Sequence, residues 1–190
     1  MSYWQPLRPH PLSHHAAQKT YSVHAHASLV DTRLIVCFEV HDPVHEIFWP
    51  APDQFKQCDY LWENTCFEVF INPSAHTRYF ELNLSPSLAW NLYQFSDYRT
   101  PNTMPPQRVH ELALTKFEVS GQTISAEIDL ATLNLAKQTL NIGLTAVIKT
   151  QHSLEYLALS HSIDQADFHH SGGWTLSLSL HEEFHDSHGQ

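Results

Sequence analysis

The sequence is short of the residues that several protein classes depend on. Lys and Arg together number 10 against 20 Asp and Glu in 190 residues, a formal charge of −10. A chain so poor in cations has little to offer phosphates or anionic headgroups, which argues against nucleic acid and membrane surfaces as partners. No apolar run approaches the roughly 20 residues that a membrane-spanning helix needs. The N-terminus, MSYWQPLRPHPLSHHAAQ, lacks the apolar centre of a signal peptide, and a cytoplasmic location is the expectation. Cysteine is scarce as well. Cys37, Cys58 and Cys66 show no CxxC spacing, and an odd set without a secretion signal reads as free thiols. Met104 is the only internal methionine. Internal repeats and low-complexity tracts are absent, and almost nothing has helical periodicity.

What remains is short, alternating, aromatic-rich segments separated by Pro, Ser, Asn and Gly. At 190 residues and 42% hydrophobic, the chain is expected to form one domain over 1–190 with a full core. Residues 1–18, with Pro6, Pro9 and Pro11, read as an extended arm, and 181–190 as a polar tail. Alternation predicts strands over 21–29, 33–40, 66–72, 78–84, 88–95, 112–120, 122–130, 140–148, 154–159 and 174–180. A helical turn is expected near 54–58, and another over 131–135 capped by Asp129. About ten strands at this spacing predict an antiparallel two-sheet β-sandwich of jelly-roll or immunoglobulin-like outline, with long loops at 42–64 and 96–110.

The stretch 61–99 organises the functional reading. Its three strands put Phe67, Val69, Ile71, Phe80, Leu82, Leu84, Trp90 and Leu92 on one face, a core. The other face carries Cys66, Glu68, Phe70, Tyr79, Glu81, Asn83, Asn91, Tyr93 and Phe95. The simplest register sets Glu68 opposite Glu81, Glu81 opposite Asn91, and Tyr79 between Phe70 and Tyr93. Facing carboxylates repel unless a cation, a proton or a ligand intervenes. Carboxylates among Asn amides and Tyr rings supply the acceptors, donors and flat platforms that a sugar or polyol needs, with Trp62 and Arg99 reaching in from the loops. The same residues also suit a solvated outer face, the usual state of an antiparallel sheet.

Histidine is abundant, 16 in all, and protonating the full set would reverse the sign of the net charge. His181-Glu182-Glu183-Phe184-His185 matches the HExxH pattern of zinc proteases. That chemistry needs a helix to aim both imidazoles at one ion, whereas here the motif sits in a polar tail beside His188. His161, Asp167, His169 and His170 form a second cluster of metal-ligand type, but without metal-specific spacing. A loop pinned by Asp–imidazole and imidazole–backbone hydrogen bonds accounts for them equally well.

Three segments carry a family resemblance. LWENTCFEVFI with RYFELNLSPSLAWNLYQFSDYR, ISAEIDLATLNL, and LALSHSIDQADFHHSGGWTLSL resemble the small stand-alone bacterial DOMON-like proteins related to family 9 carbohydrate-binding modules. The resemblance spans most of residues 5–180. It implies a β-sandwich binding module and no enzyme. Such relatives bind sugars or haem b in a pocket at the sandwich face or edge. A sugar ring clamped between two tryptophans would make Trp62 and Trp49 the candidates here. Haem with axial methionine and histidine would call on Met104 with His161 or His169.

The readings in competition are therefore a sugar- or polyol-binding module using Trp62, Glu68, Tyr79, Glu81, Asn83, Asn91, Tyr93 and Arg99; an interaction domain whose polar face is surface; a haem-b module; and a glycosidase using the carboxyl pair. The last stands lowest, because nothing obvious separates the two carboxyls into acid and nucleophile. The oligomeric state is open.

Overall fold

Alternation becomes ladder pairing wherever an apolar face needs covering, and the outcome is two sheets packed face to face. The computed structural model describes residues 3–11 and 20–179. Its strands are β1 (Gln5–Pro6), β2 (Arg8–Pro9), β3 (Ser22–Val30), β4 (Arg33–His41), β5 (Lys56–Gln57), β6 (Cys66–Pro73) and β7 (Tyr79–Leu84). They continue with β8 (Ala89–Phe95), β9 (Leu114–Ser120), β10 (Thr123–Asp129), β11 (Leu140–Lys149), β12 (Leu154–Ala158) and β13 (Leu176–Leu178). One sheet has the order β1-β3-β4-β10-β9; the other runs β2-β12-β11-β6-β7-β8-β5, with β13 added to β11. All pairings are antiparallel except β5 with β8. The β-sandwich predicted from the sequence is what the chain forms.

The core lies between the sheets. Leu34, Val36 and Phe38 of β4 and Ile124, Ala126 and Ile128 of β10 face Phe67, Val69, Ile71, Leu82, Leu84 and Leu144 across the gap. Phe38 and Phe67 meet ring to ring at 5.1 Å. Burying a side chain of this size contributes roughly 1.5–3 kcal/mol. The N-terminal arm ties the sheets together: β1 pairs with β3 in one and β2 with β12 in the other, with Leu7 buried between. This covers two sheet edges that would otherwise expose unpaired backbone.

Several local expectations are corrected. No helical turn forms at 54–58; Lys56–Gln57 is a strand, and a short 3-10 turn occurs instead at Leu61–Glu63. The segment after Asp129 is a set of turns, although Asp129 does cap it, accepting from the Ala131 N–H at 2.9 Å. The final strand is only Leu176–Leu178. Residues 1–2 and 12–18 of the arm, Leu180 and the 181–190 tail with its HExxH pattern lie outside the described residues.

The central register also differs from the simplest one, by two residues at both turns. Glu68 pairs with Asn83 and Glu81 with Phe70, so the two carboxylates are diagonal neighbours and not opposite. Glu81 pairs with Tyr93, Asn83 with Asn91 and Tyr79 with Phe95. The first shift arises because the Asn72 amide donates to the His76 and Arg78 carbonyls at 2.8 and 2.9 Å, which enlarges the turn. The second follows from Pro86. The loop comprises 86–88, closed by Ser85 N–H to Ala89 O at 2.9 Å, with Leu88 at φ 70°. Proline thereby takes the first loop position, which its fixed φ favours, and avoids the second, which it disfavours.

Replacing Phe80, buried on the inner face of β7, with Ala is expected to cost about 3–5 kcal/mol in chemical denaturation, the range for emptying a core aromatic position. A cost below about 1 kcal/mol would mean that this face is not the core.

Candidate functional site

The alternation read from the sequence holds on the outer face of the larger sheet, but that face is not solvated. Every residue of β6 and β7 is buried, on both sides. A second apolar cluster covers it: Phe70, Tyr79, Tyr93, Phe95 and Trp174, with Trp62 and Phe168 packed against them. Trp174 is the keystone. Its indole lies stacked on Phe70 at 5.8 Å and 15°, and 4.9 Å from the Tyr79 ring. It occupies space that Gly143 of β11 leaves free; a Cβ at 143 would run into the indole. The Trp174 Nε1–H donates to the Phe168 carbonyl at 2.9 Å, which fixes the loop before it and sets His169 over the sheet.

His169 closes a hydrogen-bonded chain. The Arg99 N–H donates to the Tyr79 hydroxyl at 3.1 Å, and that hydroxyl lies 2.8 Å from His169 Nδ1. With the Tyr79 hydroxyl donating to Nδ1, the Nε2–H of His169 turns toward Glu81 Oε2, at 3.6 Å, beyond hydrogen-bond reach. Burial holds the imidazole neutral, with its pKa pushed down to about 4. Asp167 anchors the same loop, receiving the Arg99 guanidinium at 2.9 Å, the Tyr98 hydroxyl and the His169 N–H at 3.1 Å.

Two carboxyls lie under this roof. Glu81 Oε1 accepts from the Asn83 amide at 2.8 Å, while its Oε2 is buried without a donor. Glu68 receives the Thr145 hydroxyl at 3.3 Å. Burial raises both, Glu81 to about 7, and the nearby Glu81 charge pushes Glu68 further up. A third carboxylate on the same face is in the opposite condition. Asp59 takes the Arg108 guanidinium on both oxygens, together with the Tyr93 hydroxyl and the Asn91 amide, both at 2.9 Å. The Arg108 contact in particular holds Asp59 below the usual carboxylate range.

Above Glu68 and Glu81 the covering segments leave a cavity of ≈160 Å³. Trp62, Phe95, Met104, Tyr156 and Phe168 give it apolar walls, and Glu68, Glu81, Arg99 and His169 its polar groups. Of the residues singled out in the sequence, Trp62, Glu68, Glu81 and Arg99 meet here. Tyr79, Asn83, Asn91 and Tyr93 do not line it; they are fully buried beneath and engaged in the hydrogen bonds above. Trp49 is no partner for Trp62, since it packs on the core side against Phe67 at 5.9 Å. The aromatic wall facing Trp62 comes from elsewhere.

The histidine loop has other engagements. His161 Nε2 contacts the Arg8 carbonyl at 2.9 Å, and His170 Nδ1 contacts the Ser162 hydroxyl at 2.6 Å and caps the turn at Gly172. Among the described residues no three His, Cys, Asp or Glu converge on a metal-sized site. A haem does not fit the residues present either. His169 has Nδ1 bound to Tyr79 and Nε2 directed at a carboxyl, and His161, its Nε2 bound to the arm, does not line the cavity that holds Met104.

Sequence reasoning missed Trp174, Gly143 and the Asp59–Arg108 pair. One signal was present: a lone Gly within the strand pattern 140–148 marks a close approach. Nothing local announces the ion pair, whose partners are 49 residues apart.

Two outcomes are expected. Gly143→Ala should displace the Trp174 indole, destabilise the protein by about 1–3 kcal/mol as overpacking does, and raise hydrogen exchange across 160–174. Unchanged exchange there would mean that the roof is held some other way. Glu81 has a folded pKa of about 7 against 4.5 for the free side chain, so its burial costs nothing at low pH and most above neutral. Glu81→Gln should therefore gain stability relative to the parent as pH rises between those values, by about 1–3 kcal/mol in total. Denaturation across that range reads it, and a flat difference would contradict the burial of the carboxyl.

No protein-family model matches the chain, and no curated protein matches it either. Solved structures are similar to it. A provisionally named carbohydrate-binding protein from Bacteroides uniformis ATCC 8492 superposes with a TM-score of 0.69 at 12% identity, over 93% of this chain and 85% of the other. A family 9 carbohydrate-binding module from Caldicellulosiruptor kristjanssonii, in complex with cellotriose, gives 0.56 at 11%, over 94% and 82%. A structure of such a module from the same organism with glucose gives 0.56 at 10%, over 98% and 88%. At these identities the likeness is one of fold: the chain shares the β-sandwich fold of these structures.

Proposed function

We propose that this chain is a binding module of the DOMON-like type, without catalytic activity, that holds a carbohydrate or polyol in the cavity over the larger sheet. One observation carries the reading: Glu81 Oε2 is buried without a donor, and Glu81 lines a cavity whose walls combine several aromatic rings with a few polar groups. An unsatisfied buried acceptor costs roughly 1–3 kcal/mol, and a ligand hydroxyl placed there removes the cost. Rings such as Trp62, Phe95 and Phe168 suit the apolar face of a sugar, and a few placed polar groups then fix its orientation. The fold neighbours that hold cellotriose and glucose support this choice of ligand class.

A glycosidase reading is poorly served by the same geometry. Retaining chemistry needs one carboxyl protonated and the other ionised, whereas burial pushes both Glu68 and Glu81 toward the protonated form.

The test is calorimetry and thermal melting of the protein with glucose and cellotriose, beside Trp62→Ala. Binding is expected, with affinity falling about tenfold in Trp62→Ala for the loss of a stacking platform. If no mono- or oligosaccharide binds or shifts the melt, the sugar reading falls and an interaction domain takes its place.

A further inference from the structure

We infer that the ligand carries an amine: an amino sugar, its ammonium set on Glu81 and Glu68 and its ring against the aromatic wall. The inference rests on the sugar-binding reading and narrows it. Two carboxyls are drawn together in one wall of the cavity, each only 4% exposed. Among the described residues, the cationic groups nearby make their direct contacts elsewhere, although the Arg99 charge still reaches both carboxyls. Arg99 is paired with Asp167 at 2.9 Å, Arg108 with Asp59, and Lys149 Nζ bonds Asn64 at 2.9 Å. His169 faces Glu81 from 3.6 Å, too far for a hydrogen bond, and burial keeps its ring neutral.

A neutral hydroxyl would answer only part of this arrangement. It supplies a donor to Glu81 Oε2 but no charge to stabilise the ionised form of either carboxyl, which burial disfavours. An ammonium brings three donors and a positive charge, so it satisfies the orphan oxygen and stabilises the ionised carboxylates together. The rings of Trp62, Tyr156 and Phe168 around the cavity add the aromatic faces that attract an organic cation. The protein itself carries a formal charge of −10, which favours the approach of a cation over that of an anion.

Binding should also release protons. The titratable groups around Glu81 are Cys66 and Glu68 on β6, Tyr79 on β7, Tyr93 on β8, and Arg99 and His169 in the covering loops. Of these, the two carboxyls are the groups that burial holds protonated near neutral pH and that a bound ammonium would ionise.

The experiment is calorimetry on the full chain just below neutral pH with glucose, glucosamine, N-acetylglucosamine and methylammonium, in two buffers of different ionisation heat. Glucosamine is expected to bind about tenfold tighter than glucose or N-acetylglucosamine, the gap between a charged and a neutral hydrogen bond. Its apparent heat should differ between the buffers, which reports proton release. Glu81→Gln should sharply reduce both the preference and the buffer dependence, and no change in either would overturn the inference; Glu68→Gln serves the same purpose should Glu81→Gln fail to melt cooperatively. Glucose binding as tightly as glucosamine would overturn the inference and leave sugar binding intact. No binding by any sugar would overturn both. Methylammonium binding as tightly as glucosamine would also overturn it, because the ring would then contribute nothing.

Discussion

The contact between Trp174 and Gly143 is the one on which the upper half of this molecule depends. A sheet face exposing Glu, Asn and Tyr would ordinarily be wet, its carboxylates unremarkable and its tyrosines free to hydrate. Because position 143 has no side chain, an indole can lie flat on the sheet and stack on Phe70. The hydrogen bond from that indole to the Phe168 carbonyl then determines where the preceding loop runs. From the loop come His169, Phe168 and the Asp167 anchor for Arg99, and hence the roof of the cavity. A missing methyl group thus turns a surface into a second core.

Enclosure separates the carboxylates of that face into two kinds. Asp59 was given Arg108, Tyr93 and Asn91, and it is ionised and satisfied. Glu68 and Glu81 were given an alcohol and an amide, and burial raises them against the opposing pull of the Arg99 charge. Fold stability does not require this difference. Apolar residues at 68 and 81 would pack such a layer at no electrostatic cost, as replacement of buried charge by hydrophobic residues often does. Local rules broken without a compensating structural gain collect at functional sites, and here they collect in the wall of a cavity.

How far the sequence revealed this follows from which interactions are local. Alternation assigned Phe67, Val69 and Leu82 to one face and Glu68, Glu81 and Asn83 to the other, because that division depends only on a period of two. A register shifted by two residues leaves the division unchanged, so nothing in the pattern could reveal it. It was decided by the Asn72 side chain and by where Pro86 could sit in its loop. Glu68, Glu81, Trp62 and Arg99 were legible as a constellation; Asn83, Asn91, Tyr79 and Tyr93 looked the same in sequence but serve as the floor. Only the roof distinguishes the two sets, and the roof is a loop without periodicity. Gly143 was its one local trace.

The roof and the floor also oppose one another in pH. His169 is held neutral, with a folded pKa of about 4 below its ordinary 6.5, so its contribution is fully present above that ordinary value and is lost as the pH falls toward 4. Glu81 is held protonated, with a folded pKa of about 7 above its ordinary 4.5, so its burial is tolerated at low pH and grows costly as the pH rises to 7. At neutral pH the imidazole is therefore settled and the carboxyl is not. Moving the proton from Glu81 to His169 would not help, because the same desolvation opposes the charge on either group. The Nε2–H directed at Oε2 from 3.6 Å has the right polarity for a hydrogen bond but falls short of one. What the pair lacks is a donor from outside the chain, standing on the cavity side of Glu81. Both raised carboxyls, Glu68 and Glu81, line the cavity that a ligand would enter, so binding and stability at neutral pH are coupled through that pair.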